Sequence, residues 1–61
     1  MPHDDIIKAH EAVDHAAAKL REATLLLKRA GARGAYVSAV RDAARAAQDA
    51  EAAMLDEVYA D

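Results

Sequence analysis

A seven-residue repeat runs along this chain twice, and a single short stretch breaks it. That stretch is Arg29-Ala30-Gly31-Ala32-Arg33-Gly34-Ala35, the only interruption of helical patterning after Pro2. It divides 61 residues into two nearly equal arms. In the first arm Ile6, Val13, Leu20 and Leu27 recur at one heptad position, a, and Ala9, Ala16, Ala23 and Ala30 fall at d. Four heptads without an exception predict a helical seam.

The spacing predicts a first helix over about 4–30. Asp4 or Asp5 is placed to cap its start, and both put negative charge at the positive end of the helix dipole. Lys28 and Arg29 suit the opposite end, and Gly31 suits the left-handed residue that closes a helix. Residues 31–34 form the turn. A second helix over about 35–59 follows, with Gly34 as its N-cap. Its a residues are Val40, Ala47 and Met54, and its d residues are Tyr36, Ala43, Ala50 and Glu57. Val37, Ala44, Glu51 and Val58 stand at e, and Ala39, Ala46, Ala53 and Ala60 at g. Asp56, Glu57 and Asp61 oppose the dipole in the last turn, so that end is expected to fray.

A connection this short forces antiparallel packing of neighbouring helices, so the fold class is all-α, a single helical-hairpin domain over 1–61. Its apolar supply is poor: 18 alanines, two tyrosines, no Phe or Trp. Alanine favours the helix but buries little area, and area sets the hydrophobic gain. With no Cys for a disulfide, oligomerisation is the remaining remedy for so small a chain. We therefore expect two hairpins to pair as a four-helix bundle, a homodimer or beyond it a tetramer. The seam would comprise Ile6, Ala9, Val13, Ala16, Leu20, Ala23, Leu27, Ala30, Tyr36, Val40, Ala43, Ala47, Ala50 and Met54.

Charge bears on the orientation of that pairing. The net charge is −3, but residues 1–15 carry −3 and 46–61 carry −5, whereas 28–45 carry +4. A hairpin thus has a basic turn end and an acidic open end, and antiparallel docking sets each against the other. Exposed pairs are worth about 0.2–1 kcal/mol each, so they select orientation without driving association. No signal peptide or membrane span is apparent, and the chain reads as cytoplasmic.

No motif for chemistry stands out. His10, Glu11, Asp14 and His15 are dense in potential ligands, but His10–Asp14 and Glu11–His15 point in two directions, whereas a metal site needs three or four converging groups. Asp42, Asp49 and Asp56 lie about 10.5 Å apart along a helix, too far to share an ion; Asp49 is expected to pair with Arg45. Ser38 is the only serine and no His is spaced to activate it. The expectation is a non-enzyme without cofactor or metal. Two surfaces are better candidates. Ile7, Leu25, Leu26 and Leu55 are apolar residues off the seam, suited to a protein partner. Lys28, Arg29, Arg33, Arg41 and Arg45 crowd the turn end, where arginine forks suit phosphates.

In overall plan (length, two equal arms, a short turn, alanine-rich heptads) the chain resembles the Rop type of small helical hairpin, which dimerises antiparallel and binds paired RNA loops. The leading expectation is a self-associating hairpin that binds a protein partner as regulator, adaptor or inhibitor. A Rop-like RNA- or DNA-binding dimer, and a structural subunit of a larger helical assembly, are the alternatives.

Overall fold

The computed structural model describes residues 2–59, with side-chain surroundings from residue 3. Helix α1 spans Pro2–Arg29 and helix α2 spans Gly34–Val58, packed side by side as a hairpin of 46 × 14 × 12 Å. Each helix starts a residue or two before the place the pattern suggested. Pro2 occupies the first helical position, where its missing N–H is no loss. Asp4 and Asp5 therefore lie inside the first turn and act on the dipole, not as the cap. Ala60, assigned to a g position, and Asp61, set against the dipole of the second helix, lie outside the described residues.

The turn is held by backbone bonding. Gly31 has φ of 68°, the left-handed region. The Ala32 N–H donates to the Leu27 carbonyl at 3.0 Å, and the Gly31 N–H to the Lys28 carbonyl at 3.1 Å. This 6→1 and 5→2 pair is a Schellman closure, with half-buried Ala32 and Leu27 as its accompanying apolar positions. The N-cap of α2 is Arg33, not Gly34, and its side chain makes no capping bond.

The helices meet along positions a and e. In α1 the inward residues are Ile6, His10, Val13, Ala17, Leu20, Thr24 and Leu27; in α2 they are Val37, Val40, Ala44, Ala47, Glu51, Met54 and Val58. All are half-buried apart from Ala17, Val37 and Ala44, which are the buried core. The alternating steps of four and three keep the a/e stripe facing its neighbour along the full length. Within the hairpin this corrects the expected a/d contact. Ala9, Ala16, Ala30, Tyr36, Ala43 and Ala50 are exposed, and of that set only Ala23 is half-buried. The reason is area: Val37 and Val58 at e bury more apolar surface than alanine at d, and Tyr36 at d is too bulky for a close alanine seam.

This rotation gives the hairpin two unlike broad faces. In an antiparallel pair joined along a/e, the d and g residues of both helices share one face and the b and f residues share the other. The d/g face carries Asp5, Ala9, Ala12, Ala16, Lys19, Ala23 and Leu26 from α1. From α2 it carries Tyr36, Ala39, Ala43, Ala46, Ala50, Ala53 and Glu57. The b/f face is mixed, with Asp4, Glu11, Asp14, Arg21, Lys28, Arg41 and Arg45 set among Ile7, Leu25 and Leu55.

Candidate functional site: an arginine-rimmed groove

On the b/f face a groove of about 490 Å³ opens between the helices, lined by Arg21, Thr24, Leu25, Arg41, Ala44, Arg45 and Gln48. Its origin is local. Thr24 and Ala44 are small inward residues at e, and the Thr24 hydroxyl is turned away by donating to the Leu20 carbonyl at 2.9 Å. Between them the floor is shallow and apolar, with Leu25 beside it, 56% exposed. Arg21 and Leu25 stand one turn apart on α1, and Arg41, Arg45 and Gln48 follow at helical spacing on α2. Three guanidiniums and a carboxamide thus surround an exposed leucine, and no carboxylate lines the groove. Such a site suits an anionic group carried next to an apolar one.

The groove joins residues that the sequence assigned to two separate surfaces. Leu25 belonged to the apolar partner set, and Arg41 and Arg45 to the nucleic-acid set. Arg21 and Gln48 were in neither. The signal for Arg21 is its place one turn before Leu25, readable only once the pairing of α1 with α2 is known. The remaining members disperse. Leu26, 54% exposed, lies on the d/g face, because one residue turns about 100° around a helix. Ile7 is half-buried and Leu55 is 37% exposed, both at b toward the open end, outside the groove lining. Lys28, Arg29 and Arg33 are exposed at the turn.

Among the described residues Lys19 and Glu22 form the only ion pair, at 3.4 Å. The expected Arg45–Asp49 pair is not made; Arg45 lines the groove instead. His10, Glu11, Asp14 and His15 do not converge, and among the described residues no three His, Asp or Glu gather around a point. His10 is inward and half-buried, whereas Glu11, Asp14 and His15 are exposed. One seam residue is electrostatically strained. Partial burial pushes the Glu51 carboxyl above the ordinary glutamate range, and hydrogen bonding to Asp14 and that group's negative charge add to the rise. His10 and Arg21 oppose it.

Among the described residues no helix is long and apolar enough to cross a membrane. Comparison with known protein families, with characterised proteins and with solved structures found no match. The functional reading therefore rests on this chain's own geometry.

Proposed function

We propose that this protein is a non-enzymatic helical-hairpin module of the cytoplasm. In this reading it self-associates as an antiparallel four-helix bundle and acts by binding a protein partner, as a regulator, adaptor or inhibitor. One observation carries the reading: Leu25 stands exposed in a groove rimmed by Arg21, Arg41 and Arg45. The matching partner segment is amphipathic, an apolar side chain flanked by carboxylates, with arginine forks reading the carboxylates and Leu25 covering the apolar contact.

The test is affinity capture from the native host with the unaltered chain and with Leu25→Asp in parallel. The partner should be retained by the first and lost by the second, while the stability of the variant stays within ~0.5 kcal/mol because the site is exposed. Equal retention by both would overturn the reading.

A second reading has its own support, since guanidinium forks also fit phosphate. RNA or DNA binding through Arg41 and Arg45, with Lys28, Arg29 and Arg33 at the turn, would weaken steeply with salt. No aromatic side chain lines the groove to stack on a base. Failure to bind RNA or DNA at ~50 mM salt removes this alternative.

A further inference from the structure

We infer that the alanine-lined d/g face is the surface on which a second copy of this chain docks, with the turn end of each hairpin over the open end of the other. The inference rests on the self-association proposed above and names the face and geometry that carry it.

The hairpin leaves this face largely exposed and, among the described residues, buries only Ala17, Val37 and Ala44. No large side chain is fully buried anywhere among the described residues. A face of 46 × 14 Å amounts to about 640 Å² on backbone dimensions, so two copies face to face would cover roughly 1,300 Å². That falls within the ~1,200–2,000 Å² of stable protein interfaces. The side chains match such a use. Ala12, Ala16, Ala46 and Ala53 let two helix layers approach to the short end of the usual ~8–10 Å. The opposite face carries charges of both signs, Asp4, Glu11 and Asp14 toward the open end and Arg21, Lys28, Arg41 and Arg45 toward the turn, and it holds the groove assigned above to a partner.

Shape and charge both select the orientation. The two large residues of the face, Leu26 and Tyr36, stand together at the turn end, 54% and 55% exposed. The other end offers Ala9 and Ala12 from α1 with Ala50 and Ala53 from α2, and beyond them Asp5 and Glu57. Turn-over-open-end docking separates the two Leu26–Tyr36 pairs, laying each over the partner's open end, where Ala9 and Ala50 are followed by Asp5 and Glu57. Side-by-side turn ends would crowd four large side chains at one end and leave a gap at the other. The same choice sets the +4 of residues 28–45 near the −3 and −5 of the terminal segments. Lys19 is the one charge in the middle of the face; its side chain is 65% exposed and held to Glu22, so its ammonium can sit at the rim. Both grooves remain on the outside of the pair.

The experiment measures mass by sedimentation across a dilution series. The unaltered chain should give twice the 6.5 kDa of one chain at high concentration. Ala16→Glu and Ala46→Glu should each remove the two-chain species, whereas Ala18→Glu and Ala52→Glu, exposed on the groove side, should keep it. If an Ala16→Glu chain unfolds while Ala18→Glu stays a folded dimer, the face is still supported, because Ala16 is exposed in the single hairpin. A dimer that survives both d/g substitutions overturns the face. An unaltered chain that is monomeric throughout overturns self-association itself. Nitroxide labels on Arg29→Cys, in a chain without native Cys, read the orientation. Turn over open end predicts labels roughly 40 Å apart, from ~13 residues either side of the dyad at 1.5 Å each. A separation under ~25 Å contradicts it.

Discussion

Arg33 sits where a helix start calls for an oxygen. Its side chain makes no capping bond, and the first turn of α2 holds no acidic residue, so a cation stands at the positive end of the dipole. Arg33→Asp should therefore raise stability by about 0.5–2 kcal/mol, read from denaturant midpoints. A lowered midpoint would mean that the arginine makes an interaction the hairpin alone lacks. Glu51 gives a pH signature. Its carboxyl is raised in the folded state, so the folded chain holds this proton more tightly than the unfolded one. The sign follows: stability from this group is greatest at low pH and is lost as pH rises from the ordinary glutamate value through the folded one. Glu51→Gln should accordingly stabilise the chain at neutral pH, and the advantage should fade in acid, as thermal melts at several pH values would register. Gly31 was legible at this scale, because only the residue closing α1 needs φ above zero.

For the helices, the length of each arm and the turn between them could be read from the heptads and the two glycines. The identity of the second contact stripe could not. On α1 alone, Ala9, Ala16, Ala23 and Ala30 look more apolar than His10, Ala17 and Thr24, so the sequence favours d. The choice is made on α2, where Val37 and Val58 bring more area to e, and α1 must follow its neighbour. The groove was hidden for the same reason: Arg21 and Arg45 become neighbours only through that pairing. This has a direct check. Ala17 is wholly buried between the helices, so Ala17→Leu should overpack the seam and destabilise by roughly 1–3 kcal/mol. Equal stability of Ala17→Leu and the unaltered chain in chemical denaturation would show that e does not close the hairpin.

As a whole molecule the hairpin has its length, its turn and its two faces, but little interior. Among the described residues three are buried, two of them alanines, which is a thin core for a hairpin of this length. The fold makes sense if the alanine face is covered by another copy and the arginine groove is left free for a partner. Folding and association are then linked, and the melting temperature depends on protein concentration. The most direct measurement is thermal unfolding of the unaltered chain, followed by circular dichroism together with mass over a hundredfold dilution. The account predicts a two-chain species whose melting temperature falls as it is diluted. A chain that stays single at every concentration, yet melts cooperatively at one unchanging temperature, would contradict it.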